Sequence, residues 1–189
     1  LCTVPLTVLN KINFSPALSS EKQTAMNGGF RYAPATRIYI QFNNRFWENE
    51  SLNGWGNTDL PEEIWQPSWD MTGNTGVLMS YLRWSAAEDM DTLNQDERNN
   101  AVLNRWENIF EGSINNFDKG VSKSWVLDEW SKGAWASPTT SQNETLNESI
   151  AQIEGRIHFA GEHASNDRGW MQGALFSGLR AATEIKNSN

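Results

Sequence analysis

The chain predicts an α/β fold, on the evidence of three stretches. Thr36-Arg37-Ile38-Tyr39-Ile40-Gln41-Phe42 alternates so that Ile38, Ile40 and Phe42 share one face of a half-buried strand. Gly76-Val77-Leu78-Met79-Ser80-Tyr81-Leu82-Arg83-Trp84 is apolar on both faces, which suits a central strand. Arg156-Ile157-His158-Phe159-Ala160-Gly161 reads as a strand entering a glycine turn. From Gly169 onward, Met171, Leu175, Gly178, Leu179, Ala182 and Ile185 recur at helical spacing.

The remaining elements follow along the chain. Leu1 to Val4 is a short apolar strand end stopped by Pro5. Ser20-Glu21-Lys22-Gln23 has the capping-box pattern of a short helix, closed by Gly28-Gly29. Residues 48–75 are dense in Asn, Gly, Pro and Trp. They suggest ordered loops, because Trp55, Trp65 and Trp69 need something to pack against. Asp59, Glu62 and Glu63 read as a solvated acidic cluster on such a loop. Asn94-Gln95-Asp96-Glu97 opens a helix to about Gly112, with Val102, Leu103, Trp106, Ile109 and Phe110 as its buried stripe. Ser137 to Ser149 is polar and reads as an exposed loop.

Composition narrows the function. The 23 acidic and 15 basic residues leave a net charge of −8, with no Lys/Arg cluster to neutralise phosphates, which argues against nucleic acid as a partner. No apolar run approaches the roughly 20 residues that span a bilayer. Ten Trp and eight Phe point to a packed core rather than disorder. The single Cys2 cannot close an internal disulfide, which fits a reducing compartment. Sequons at Asn49, Asn143 and Asn147 read as chance matches in an Asn-rich chain, and the compartment stays open between cytoplasm and secretion with a full-length precursor. The opening residues lack the Met and basic region of a signal peptide. A chain that opens in mid-strand is expected to be a piece of a longer one. Two His and one distant Cys offer no metal-ligand spacing, so no metal is expected. Neither a Gly-x-Ser-x-Gly elbow nor a Cys–His pair supports nucleophilic hydrolysis.

The stretch that carries chemistry is Phe159-Ala160-Gly161-Glu162-His163, a short loop, then Gly169-Trp170-Met171-Gln172-Gly173-Ala174-Leu175 and Ser177-Gly178-Leu179-Arg180-Ala181-Ala182. It reads as a strand, a turn carrying a carboxylate, and a helix whose first turn is open. A helix N-terminus presents unsatisfied N–H groups and partial positive charge, suited to an anion or an electron-rich carbonyl. Gly173 and Gly178 permit close approach by a neighbour, and Glu162 can accept hydrogen bonds from hydroxyls. His158 reads as a satisfied core or interface histidine. His163, at the turn, is placed to touch a cofactor or to hold the loop.

This segment closely resembles the C-terminal signature of the flavin-containing amine oxidase family, particularly its L-amino-acid oxidase branch. The resemblance continues in family order through Leu1-Cys2-Thr3-Val4-Pro5-Leu6 with Ile12-Asn13-Phe14-Ser15-Pro16. It then takes in Ala35-Thr36-Arg37-Ile38 through Arg45-Phe46-Trp47, Thr58-Asp59-Leu60-Pro61, and Pro67-Ser68. Trp125-Val126-Leu127-Asp128-Glu129-Trp130 with Gly133-Ala134 completes it. The resemblance implies the C-terminal part of a two-domain fold, a Rossmann-like FAD domain plus a mixed-sheet α+β substrate domain. Residues 1–31 and 150–189 would belong to the FAD domain, and 32–149 to the substrate domain and its return loop. FAD is the implied cofactor, with Glu162 on its ribose or ribityl hydroxyls and Trp170-Met171 at the flavin C2 carbonyl. Val4, Gly161, Gly169, Ala174 and Trp125 would complete the cofactor contacts. Gly169 would offer its carbonyl to the substrate amine, while Trp125 and Trp135, with Trp65, Gln66 and Trp170, would line the substrate space.

Two positions depart from the family pattern. Arg37 stands where the family often has a Lys that holds a water near flavin N5, so the catalytic role implied there would be filled by a larger, permanently charged group. Gln66 stands where amino-acid oxidases often place a Tyr against the substrate carboxylate. The family's G-x-G-x-x-G motif and an arginine that commonly pairs with the substrate carboxylate belong to a half this chain lacks. The implied activity is oxidative deamination of a primary amine, first of all an L-amino acid, giving imine and keto acid, ammonia and hydrogen peroxide. A monoamine or polyamine oxidase-like activity and a non-catalytic, partner-binding remnant are the alternatives. Expected partners are a small-molecule amine or L-amino acid, O2, and an N-terminal chain or half of the same enzyme. Homo-oligomerisation stays open.

Overall fold

The computed structural model describes residues 1–60 and 62–188; Pro61, which ends the Thr58-Asp59-Leu60-Pro61 motif, and Asn189 lie outside the described residues. In chain order the elements are α1 (Leu6–Leu9), α2 (Ser20–Thr24), β1 (Tyr32–Ala33), β2 (Ala35–Phe42), β3 (Gly56–Asn57), β4 (Glu62–Trp65) and β5 (Gly76–Arg83). They continue with α3 (Ser85–Asp91), α4 (Gln95–Trp106), α5 (Ser113–Asn116), β6 (Phe117–Ser124), β7 (Trp135–Ala136), α6 (Thr140–Ala151) and α7 (Met171–Asn187). The chain divides into two compact units, Leu1–Ala33 with Asp128–Asn189, and Pro34–Leu127. Residues 128–149 thus fall with the first unit. There β7 pairs with β1, and Leu146 and Ile150 of α6 are buried beside Leu9, Phe30 and Phe159. Among the described residues no helix is long and apolar enough to cross a membrane.

The second unit is a five-stranded sheet in the order β3-β4-β5-β2-β6, with β5 in the middle. Its strand pairings are all antiparallel, where the family resemblance suggests a mixed sheet. Strand alternation puts Ile38, Ile40, Phe42, Ile64, Leu78 and Leu82 on one face, buried against Ala87, Met90, Val102, Leu103 and Trp106 of α3 and α4. Each large side chain buried this way contributes about 1.5–3 kcal/mol.

α4 opens with a reciprocal cap: Asn94 accepts from the Glu97 N–H, and Glu97 accepts from the Asn94 N–H. It ends at Trp106, short of Gly112, because the Glu107 carboxylate accepts from the N–H groups of Gly112 and Ile114 and ties down the following turn. Ile109 is exposed in consequence, while Phe110 stays in the core. Glu62 is no solvated loop residue. It lies on β4 with its side chain fully buried, accepting from Arg105 at 3.2 Å and from the Ser80 hydroxyl. Glu63 pairs with Arg83 at 2.5 Å.

In the first unit, residues 137–149 are not a loop. Thr139 and Gln142 form a capping box, and α6 follows with only Leu146 and Ile150 facing inward. Ser19, rather than Ser20, caps α2, its hydroxyl accepting from the Lys22 N–H. Residues 156–161 make isolated bridges instead of a strand: Cys2 pairs parallel to Phe159, and Ile157 pairs with Glu154. α7 has the expected period but a different buried face. Gly173, Ser177 and Ala181 point inward, whereas Met171, Leu175 and Leu179 are exposed.

Candidate functional site

In the first unit, the turn between Phe159 and α7 is braced by several side-chain hydrogen bonds. The Glu162 carboxylate accepts from Ala136 N on β7 at 2.9 Å and from Gly169 N at 2.8 Å. The Ser177 hydroxyl accepts from Gly161 N at 2.9 Å and lies 2.8 Å from the Gly161 carbonyl. Arg168 donates to Asn143 and Asn147 of α6, and Arg180 donates to the Phe159 carbonyl at 2.6 Å. His158 is buried against Glu184, Nδ1 to Oε2 at 3.1 Å, which makes it a packed structural histidine.

The backbone at this turn needs glycine in two places. Gly161 has φ of 141°, and a Cβ there would sit 2.4 Å from the His163 ring. A Cβ on Gly173 would sit 2.0 Å from the Asp167 carbonyl oxygen. Gly178 has nothing within 4 Å of such a Cβ, so close approach within this chain explains Gly173 but not Gly178. His163 is buried. Desolvation, and then the nearby Arg168 charge, lower its pKa to about 4, so the ring is neutral at neutral pH. It holds the loop.

These braces leave the start of α7 open. Trp170 at the N-cap offers no side-chain cap, and the N–H groups of Met171, Gln172 and Gly173 precede the first intrahelical acceptors. Trp170 and Met171 are 71% and 85% exposed, and Ala174 is exposed one turn further. Gly169 sits against Trp135, whose ring a Cβ would meet at 3.2 Å. Val4 is half-buried on the hydrophobic cluster of the same unit. The uncapped N–H groups, beside a carboxylate held at the mouth of the turn, fit the electron-rich carbonyl edge of a flavin.

In the second unit, strand register lines up Lys123, Arg37, Tyr81 and Glu63 across β6, β2, β5 and β4, on the sheet face opposite the apolar core. The Arg37 guanidinium carbon lies 4.6 Å from the centre of the Tyr81 ring, and that of Arg83 lies 5.3 Å from it. Burial opposes the Arg37 charge, but the Tyr39 and Tyr81 side chains favour it, and the balance raises its pKa. Two residues along, Trp65 stacks on Trp55 at 5.6 Å, meets Tyr81 edge-on and donates to Glu63. Trp69 is exposed and does not share in this packing. Trp125 follows β6, its N–H bonded to the Ala35 carbonyl and its ring 5.3 Å from the Lys123 ammonium.

Gln66 is not part of this face. Alternation turns it toward the core, where it is 2% exposed and its amide oxygen accepts from the Trp47 indole at 3.1 Å. A side chain so placed is a packing group, which corrects its assignment to a substrate carboxylate. Arg37 and Trp65 are brought together, as are Gly161, Glu162, Gly169, Trp170, Met171 and Trp135. The sequence assigns no site role to Tyr39, Tyr81, Ser177 or Arg168. The parity of β2 and β5, reckoned from Arg37, was the available signal for the two tyrosines.

A family model for flavin containing amine oxidoreductases matches residues 1–186. The chain belongs to that family. Among relatives, it is 34% identical to YobN of Bacillus subtilis (strain 168) over 98% of its own length and 40% of that protein's. It is 34% identical to the L-amino-acid oxidase of Siganus canaliculatus over 92% of its own length and 34% of that protein's. Among solved structures, cyclohexylamine oxidase from Brevibacterium oxydans IH-35A superposes with a TM-score of 0.82 at 20% identity, covering 98% of this chain and 42% of that one. At those identities the structural likeness speaks for the α/β amine oxidase fold. The chain thus spans well under half the length of the relatives it matches.

Proposed function

We propose that this chain forms part of an FAD-dependent oxidase that deaminates a primary amine, first of all an L-amino acid, to an imine hydrolysed to keto acid and ammonia, with hydrogen peroxide as co-product. The observation that carries this is the open N-terminus of α7 beside the Glu162-braced turn. FAD, when bound, supplies the hydride acceptor and passes its electrons to O2. The N–H groups at Met171, Gln172 and Gly173 would hold negative charge at the flavin C2 carbonyl, and Glu162 has lone pairs left for hydroxyls of the cofactor. Val4, Gly161 and Ala174 would line the same group, the Gly169 carbonyl would accept from the substrate amine, and Trp135 would wall it. On the sheet face, Arg37, Trp65 and Trp125 would meet the substrate. A neutral amine needs no general base from these residues.

The first unit would then be the FAD-binding part and the second the substrate-binding part. An N-terminal chain or half would supply the remaining cofactor contacts. The relatives' greater length supports that partner, as does the exposed apolar run Met171, Leu175, Phe176 and Leu179 on α7. One observation favours a simple amine as substrate instead: Gln66 is bonded inside the core and cannot meet a carboxylate.

Native mass spectrometry on protein isolated from its source tests the assembly, with one FAD per complex of this chain and its N-terminal portion as the expected result. The same material, given an L-amino acid or its decarboxylated amine in air, should release peroxide faster from the amino acid. A flavin-free 189-residue chain, or turnover of neither compound, would overturn the proposal.

A further inference from the structure

Arg37 is a half-buried cation without an anion. Among the described residues it makes no ion pair, and its Nε is buried with no hydrogen-bond partner. Glu63, an acid in its cross-strand row, is occupied by Arg83 at 2.5 Å and the Trp65 indole at 3.1 Å. The Tyr39 and Tyr81 side chains support this charge, but no carboxylate pairs with it among the described residues and Nε is left unbonded, so an incoming anion would find a cation with hydrogen-bonding capacity to spare. The planar fork suits a carboxylate. Its surroundings describe the rest of such a ligand: the Tyr81 ring lies under the guanidinium and the Trp65–Trp55 stack lies beside Tyr81, so the anion is carried on an apolar body rather than being a bare inorganic ion.

We infer that Arg37, set between Tyr39 and Tyr81, is an anion subsite that takes the carboxylate of the substrate and so selects amino acids over simple amines. This rests on the amine oxidase reading above and supplies the carboxylate contact that Gln66 does not make. Arg37 would then be a specificity-determining residue rather than a larger stand-in for a water-holding lysine.

The test uses the full-length protein and its variants Arg37→Gln and Arg37→Lys, with two readouts. The first is the ratio of kcat/KM for an L-amino acid to that for its decarboxylated amine. The second is calorimetric binding of 3-phenylpropionate, a carboxylate with no amine, which requires no turnover. Losing a charged hydrogen-bonded pair should lower the ratio and weaken 3-phenylpropionate binding by about tenfold or more in Arg37→Gln, with partial recovery in Arg37→Lys. An unchanged ratio and unchanged binding would overturn the inference. So would equal weakening toward inorganic phosphate and 3-phenylpropionate, which would mark an unselective anion site. If Arg37→Gln does not fold, Arg37→Lys carries the test, since it keeps the charge and loses the fork. Should the parent protein oxidise neither compound, the oxidase reading fails while calorimetry still reports on the subsite.

Discussion

In the turn of the first unit, charged and polar side chains are bonded mainly to backbone: Glu162 to Ala136 and Gly169, Ser177 to Gly161, Arg180 to Phe159. On the sheet face of the second unit, Arg37 and Arg83 instead lie over one tyrosine ring, and Trp65 lies against another indole. The first arrangement fixes backbone atoms and is intolerant of added volume. The second leaves side chains partly exposed and able to meet a ligand. Rigid backbone presentation suits an invariant cofactor carbonyl; an aromatic platform under a cation suits a substrate that has to enter and leave.

The sharpest way to break this contrast lies in one helix. Gly173→Ala forces a methyl group to within about 2.0 Å of a backbone oxygen, so the turn has to shift. It should destabilise the full-length protein by about 1–3 kcal/mol or more and cost it bound flavin. Gly178→Ala meets nothing within 4 Å and should stabilise by about 0.5–1 kcal/mol through helix propensity. Thermal midpoints and flavin absorbance of the two variants check this. A loss at Gly178 instead would show that polypeptide outside these residues covers that face of α7.

The buried imidazole of the turn gives a pH signature the sheet face lacks. With His163 held at about 4 by burial and Arg168, the folded and unfolded chains both carry it neutral above its ordinary value near 6.5. As pH falls from about 6.5 toward 4, the unfolded chain binds a proton that the folded chain refuses, and stability drops by up to about 3 kcal/mol. His163→Leu should flatten that part of the stability–pH curve measured by denaturant titration. An identical acid slope in both proteins would mean that His163 is protonated in the fold.

Legibility in the sequence also divides along these lines. β2 and β5 were readable because their apolar alternation is local. β6 was not: Phe117–Ser124 is largely polar and becomes a strand through its pairing with β2. α6 was hidden by composition, although the Thr139–Gln142 box marks its start. In α7 the period was legible but the face was not, since hydrophobicity points to Met171, Leu175 and Leu179 while packing selects the small residues between them. Burial of Glu62 depends on Arg105, 43 residues away, and no local pattern reports it. Gln66 is the instructive case, because motif position implied a ligand contact that strand parity with Trp65 contradicts.

The smallest effect tests what holds the sheet face. Tyr81→Leu removes the ring shared by Arg37 and Arg83 and should cost about 0.5–1 kcal/mol in denaturant unfolding, because a cation over an exposed aromatic face is worth about that much. Tyr81→Phe keeps the ring and should cost distinctly less. The ring and the hydroxyl therefore make different predictions at one position. Equal losses in the two variants would assign the Arg37 orientation to the Tyr81 hydroxyl, and the sheet face would then be held by polar bonds like the turn, with the contrast between the two regions gone.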